Sequence, residues 1–321
     1  MATRDMSGSL KDKRKQVAGG RVILIAGPTA SGKSALAIDL ASELDGVIIN
    51  ADSMQLYKDL RLVSARPSDE EEREVPHRLY GVLQASTAFS TGAWLRLATE
   101  EIEAVRAAGK LPVLVGGTGL YFKGLTEGFA EMPEIPSEIR EQARDLADQE
   151  GVARLKEELA HFGDHESAAT LADPQRLARA LEVVMATGKP LSTWQTTSQS
   201  APFLAKGECL RIVLAPPRPW LHERIERRAR LMLAEEGIEE VRALLEQGLS
   251  PKLPAMRAIG VAEIRDLLSG KAGYEETVHR LTVATRQYAK RQETWFRNQM
   301  PDWQRVDPAA GINVEDILDP K

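Results

Sequence analysis

Short runs of apolar and β-branched residues alternate with segments of helical period in the first third of the chain. Val22–Ala26 and Val47–Asn50 read as buried strands, and so does Leu111–Val115. Between them, residues 33–44 and 92–108 carry helix formers with apolar residues at helical spacing, the second preceded by a Ser90-Thr91 cap. This alternation predicts a parallel sheet with helices on its faces. Near Met132-Pro-Glu-Ile-Pro136 the pattern becomes helical only, over 137–150, 152–159 and 174–187, with Gly188-Lys-Pro190 as a stop. Residues 192–202 are rich in Ser, Thr and Gln and read as a loop. Strand character returns at Arg211–Ala215, ends at Pro216-Pro217, and gives way to helices over about 219–248, 258–269 and 274–298. The fold class is therefore α/β, a parallel-sheet core with an all-helical insertion. The core takes residues 21–130 and 206–310, and the insertion takes 131–205.

Composition narrows this little. The hydrophobic content of 43% and charged content of 28% are ordinary for a globular protein, and no apolar run approaches the length of a membrane span. Residues 1–20 are polar and basic and read as a disordered tail, less readily as a nucleic-acid arm. Cys209 is the only cysteine, which excludes an intramolecular disulfide and suits a cytoplasmic location. The net charge is −5, so any contact with nucleic acid must come from local patches. Two candidates are residues 211–230, with six arginines, and residues 279–300, where Lys290, Arg291 and Arg297 accompany Trp295 and Phe296.

The chemistry is concentrated in a pair of motifs. Gly27-Pro28-Thr29-Ala30-Ser31-Gly32-Lys33-Ser34 fits the phosphate-loop pattern and lies between a strand and a helix, the context the motif requires. Its glycines let amides face phosphate oxygens. Lys33 would reach the terminal phosphates, and Ser34 would sit beside Mg²⁺. The second motif, Asp52-Ser53-Met54-Gln55, sets a carboxylate at the end of the next strand. A loop of this kind serves kinases and NTPases alike. The strand at 111–115 ends in Gly116-Gly-Thr118-Gly, however, not in the aspartate of a Walker B motif. A small-molecule or nucleotide kinase remains an alternative.

Nine blocks in order then carry a resemblance: GPTASGKS (27–34), INADSMQLY (49–57), ARP (65–67), VPH (75–77), LVGGTGLYFKGL (114–125), DPQRLARALEV (173–183), ERIERR (223–228), RAIG (257–260) and TRQYAKRQETWFR (285–297). Over roughly residues 21–305 the chain resembles the bacterial tRNA dimethylallyltransferases. That resemblance implies a phosphate-loop NTPase-like core whose helical insertion clasps a tRNA anticodon stem-loop. It also implies transfer of a dimethylallyl group from dimethylallyl diphosphate to N6 of adenosine 37, with Mg²⁺ assisting, by a monomer.

The implied catalytic residues are Asp52, Lys33, Thr118, Arg224 and Arg228. Asp52 would take the N6 proton, against the alternatives of a metal ligand or loop cap. Arg224 and Arg228, four residues apart on one helix face, would neutralise the leaving group, against the alternative of a solvated face. The implied tRNA contacts are Asp52, Ser53, Met54, Gln55, Thr118, Arg140, Gln175, Arg176, Arg179, Arg257, Gly260, Lys290, Arg291, Gln292, Trp295 and Arg297. Two segments depart from the pattern. Relatives commonly read Ile-Gly-Thr-Ala-Lys-Pro where this chain has Leu62-Val63-Ser64-Ala65-Arg66-Pro67, and Val261-Ala262 replace an aromatic and a basic residue.

Overall fold

A computed structural model describes residues 21–318 apart from Glu131, Pro133, Ser198, Gln199 and Asn313. The tail expected over residues 1–20 lies outside the described residues. The chain divides into two compact units, one comprising residues up to Thr126 and from Leu204 onward, the other Glu127–Phe203.

The first unit opens with β1 (Val22–Ala26), α1 (Lys33–Leu44), β2 (Gly46–Asn50), α2 (Asp69–Glu74), β3 (His77–Arg78), α3 (Thr91–Ala107), β4 (Leu111–Gly116) and α4 (Gly119–Glu127). The second holds α5 (Ser137–Gln149), α6 (Gly151–His161), α7 (His165–Thr170), α8 (Pro174–Thr187) and α9 (Leu191–Thr197). The first then resumes with β5 (Cys209–Leu214), α10 (Arg218–Met232), α11 (Glu235–Glu246), α12 (Val261–Leu268), α13 (Tyr274–Gln299), β6 (Gln304–Val306) and α14 (Val314–Leu318).

The six strands form one parallel sheet in the order β3-β2-β4-β1-β5-β6. Every residue of β1, β2 and β4 is buried, which accounts for their unbroken apolar sequence. Alternate residues Ile23, Ile25, Val113, Val115, Ile212 and Leu214 share one cluster with Leu36, Ala37 and Leu40 of α1, as a two-residue strand period requires. Helix α3 buries Trp94, whose indole N–H donates to the Asn50 carbonyl (3.0 Å) and whose ring stacks on Tyr121 at 4.0 Å. Helices α10 to α13 contribute to a second cluster built on Met232, Val241, Leu244, Ile264, Val278 and Leu281, which also takes in Val63. The separate helical unit packs around Leu155, Leu159, Leu177 and Leu181.

Two expected elements differ. Residues 191–197 form α9 rather than a loop. Tertiary bonds override weak propensity there, since Trp194 donates to Thr187 Oγ1 (3.1 Å) and Ser192 donates to Glu166 (2.9 Å). The continuous helix expected over 219–248 breaks at Leu233-Ala234, where Ala234 turns extended (φ −66°, ψ 161°) and α11 starts on a new axis. Several short elements are not expected from the sequence, among them α2, fixed by a Ser68–Glu71 capping box, α4, α7, α14 and the edge strands β3 and β6.

Candidate active site

The phosphate loop spans the end of β1 and the start of α1, so its shape follows from two buried elements. Gly32 caps α1 with a left-handed backbone (φ 88°) and no side-chain cap, leaving the first-turn amides of the helix open to an anion. Ser31 is fully buried and its hydroxyl has no partner among the described residues. The Lys33 ammonium donates to the Pro28 carbonyl (3.3 Å). Its side chain keeps partial exposure, but burial of the ammonium pulls its pKa down to about 8. The Arg228 guanidinium adds to that effect and Asp52 opposes it.

Both candidate arginines of α10 reach this loop. Arg224 Nε donates to the Ala30 carbonyl (2.8 Å) with its guanidinium 4.6 Å from the Trp220 ring centroid. Arg228 donates through Nη1 to Thr29 Oγ1 and through Nη2 to the Val63 carbonyl (2.9 Å), while its buried Nε has no partner among the described residues. The solvated-face alternative is thereby excluded. The four-residue spacing instead sets two cations against one loop.

Asp52 and Thr118 lie close because β2 and β4 are paired parallel neighbours whose ends stay at contact distance. A methyl group at Gly116 would overlap the Ala51 carbonyl, so only glycine fits there. The Ser53 amide donates to Thr118 Oγ1 (3.0 Å), and the Thr118 amide donates to the Ala51 carbonyl (3.2 Å). Asp52 is fixed by its own turn. Its Oδ1 accepts from the Met54 amide (3.0 Å), and its amide donates to Asn50 Oδ1 (2.8 Å). Asn50, fully buried, also donates to the Asp52 and Leu79 carbonyls, both at 3.0 Å. Its polar side chain next to Asp52, at the end of an apolar strand, was the available sign of this role. Burial raises the pKa of Tyr80, Tyr121 and Tyr288, and the nearby negative charge of Asp52 raises each further.

The residues expected at an RNA surface separate into two groups. Lys290, Arg291, Arg297 and Arg257 are exposed. Gln175 and Arg176 are exposed at the start of α8, and Arg140 is half-buried on α5. Arg179 pairs with the buried Glu182 (3.0 Å), which also faces Arg144 (3.6 Å).

Five others have internal duties. Gln292 is 5% exposed. It accepts from the Thr29 amide (2.8 Å) and donates to the Gly117 carbonyl (3.0 Å), joining the phosphate loop to the Thr118 turn. A direct RNA contact through Gln292 is therefore replaced by a bridge. Gly260 is likewise buried, at φ +114°, in a spot where a side chain would meet Met232 and Val63. Gln55 donates to the Ser64 and Ala65 carbonyls (3.1 and 2.7 Å). Trp295 keeps its ring edge beside Gly119, its Nε1 buried and without a partner among the described residues. Met54 leans on the α10–α13 cluster.

The hydroxyl of Ser34 is the one metal donor the motif supplies, and among the described residues no cluster of three or more acidic, His or Cys side chains forms a cage. Such a donor set fits Mg²⁺ bound chiefly through substrate phosphates.

The chain is similar to known proteins over most of its length. The family model described as IPP transferase matches residues 55–299. A tRNA dimethylallyltransferase of Agrobacterium fabrum is 51% identical over 290 residues, covering 89% of this chain and 96% of its own. One from Rhodopseudomonas palustris strain BisA53 is 48% identical over 322 residues, covering 99% and 96%. Among solved structures, the full-length tRNA isopentenylpyrophosphate transferase of Bacillus halodurans aligns with a TM-score of 0.64 at 31% identity, over 93% of both chains. A eukaryotic dimethylallyltransferase acting on tRNA aligns with a TM-score of 0.74 at 26% identity, over 91% of this chain and 75% of its own. With a matched model across most of its length and relatives near half identity from end to end, the chain belongs to the IPP transferase family.

Proposed function

We propose that this protein is a tRNA dimethylallyltransferase. It transfers the dimethylallyl group of dimethylallyl diphosphate to N6 of adenosine 37, beside the anticodon, and releases diphosphate. The observation that carries the reading is the convergence of Lys33, Arg224 and Arg228 on one phosphate loop, with Asp52 and Thr118 on the adjoining strand ends, linked through the Ser53 amide.

In the reaction, the bond from the allylic carbon to the diphosphate oxygen breaks as a bond from that carbon to N6 forms. The N6 proton passes to Asp52, whose Oδ1 is anchored by the Met54 amide so that the carboxylate keeps one orientation. Charge grows on the departing diphosphate. The loop amides, Lys33 and the two arginines sit where they can stabilise it without rearranging. Magnesium, held by Ser34 and the diphosphate itself, would add Lewis-acid neutralisation of the leaving group. The target base must leave its stack to reach such a site, as enzymes acting on base atoms require. The exposed basic residues of α13 and the start of α8, together with Arg140, Arg179 and Arg257, are assigned to the RNA, with Ser53, Met54 and Gln55 close to the target nucleotide. The enzyme works as a monomer in the cytoplasm, and its helical unit clasps the anticodon stem-loop.

The test is transfer of radiolabel from dimethylallyl diphosphate to an anticodon stem-loop carrying three adenosines at positions 36–38. Label in the RNA is expected. Consumption of ATP with phosphorylation of a small acceptor, and no labelled RNA, would replace this reading with that of a kinase.

A further inference from the structure

One carboxylate outside the motifs holds the segment against which Arg228 is set. Glu240, on α11, accepts three consecutive backbone N–H groups. Oε2 takes those of Arg61 and Leu62, both at 2.8 Å, and Oε1 takes that of Val63 at 3.0 Å. Charge-assisted bonds to three successive amides fix a short segment as firmly as a helix cap does. The carbonyl of the last of these residues, Val63, is the one that receives Arg228 Nη2 (2.9 Å), and the other end of the same guanidinium holds Thr29 of the phosphate loop. The Val63 side chain, 2% exposed, is seated in the cluster of α10 to α13, so the segment has little room to shift on its own. Gln55 secures the next two carbonyls and Arg66 the carbonyls of Tyr57 and Lys58.

A continuous path thus runs from Glu240 through the 61–63 backbone and Arg228 to the phosphate loop. The Arg228 Nε is a buried donor with no partner among the described residues. An arginine held at both tips keeps one orientation only as long as both anchors stay in register.

We propose that Glu240 is a positioning residue for the diphosphate site. By fixing the Val63 carbonyl it sets the orientation in which Arg228 meets the leaving group, without touching substrate itself. The inference rests on the diphosphate-site reading above, although it does not depend on which acceptor is prenylated. A merely structural carboxylate would lower stability while leaving the ligand affinity of the folded protein unchanged. A positioning carboxylate couples specifically to Arg228.

The experiment is calorimetric binding of inorganic diphosphate with Mg²⁺ to the full chain and to Glu240→Gln, Glu240→Asp, Arg228→Lys and the double variant Glu240→Gln/Arg228→Lys, with melting curves alongside. Glu240→Gln is expected to weaken binding about tenfold, and the double variant to bind no more weakly than Arg228→Lys alone, the signature of residues acting through one contact. In the transfer assay, KM for the stem-loop should be unchanged in Glu240→Gln. Glu240→Asp, which keeps the charge on a shorter stem, should fall between wild type and Glu240→Gln. It decides the matter if the glutamine variant does not fold.

Wild-type affinity in the folded Glu240 variants, or losses that multiply with that of Arg228→Lys, would overturn the proposal. So would failure of both Glu240 variants to fold. Wild-type protein that binds magnesium diphosphate but labels no RNA would instead remove the transferase reading and leave the Glu240 path standing.

Discussion

At the scale of single residues, the site joins a depressed lysine to an anchored carboxylate. Lys33 has its pKa lowered to about 8 by burial, with Arg228 adding and Asp52 opposing. The folded protein therefore holds this proton less tightly than the unfolded chain does. Lys33 costs stability below about pH 8, and the cost disappears as the pH rises toward the ordinary lysine value. An arriving diphosphate reverses the preference, because it favours the ammonium. Binding of magnesium diphosphate should accordingly take up a fraction of a proton near pH 8 and weaken as the pH rises further, by up to about tenfold per unit. Calorimetry in two buffers of different ionisation enthalpy reads the uptake directly, and equal apparent enthalpies in both would contradict it.

Asp52 makes a separable claim. Asp52→Asn keeps the shape of the turn but cannot take a proton, so kcat should fall by about 10²-fold or more with diphosphate affinity nearly unchanged. Single-turnover transfer measures the first and calorimetry the second. A variant with wild-type turnover would return Asp52 to a capping role.

At the scale of elements, the close pairing of the ends of β2 and β4 decides whether Asp52 and Thr118 meet. Gly116 sits where any side chain would overlap the Ala51 carbonyl. Gly116→Ala should push the strand ends apart, destabilise the fold by about 1–3 kcal/mol and lower transfer activity more than thermal stability alone explains. Thermal denaturation and initial rates, both taken well below the melting point, test this, and an alanine variant that matches wild type in both would sink it.

What was legible in the sequence follows the same geometry. The phosphate loop, the Asp52 block and the glycine-rich turn are contiguous, and each was readable because its chemistry needs neighbours only a few residues away. The second half of the site is assembled over long separations: Gln292 meets Thr29 across 263 positions and Glu240 meets Arg61 across 179. No periodicity encodes such pairs. Gln292, on a helix among basic residues, therefore read as an RNA contact when it is a buried bridge. Similarly, a period of 3.6 continued through Leu233-Ala234 and concealed the break between α10 and α11, because a helix stop without glycine or proline leaves no local mark.

At the scale of the whole molecule, the charge balance constrains how an RNA can be held. With a net charge of −5 the protein has no general affinity for polyanions, so RNA binding must draw on a few exposed cations against a repelling background. Lys290 and Arg297 are exposed and seven residues apart on α13, hence on the same helix face, and neither takes part in the network around the phosphate loop. If each neutralises one phosphate, replacing both by alanine removes two released counterions. The slope of log Kd against log salt for a stem-loop should then become shallower by about 1.4 to 1.8. Affinity at low salt should drop with it, while magnesium diphosphate should bind as before, because the two residues lie outside the diphosphate site. Fluorescence anisotropy of a labelled stem-loop over a range of potassium chloride gives the slope. An unchanged slope would move the RNA footprint off this face of α13, whereas a lost diphosphate affinity would mean that the helix had shifted and carried Gln292 away from Thr29.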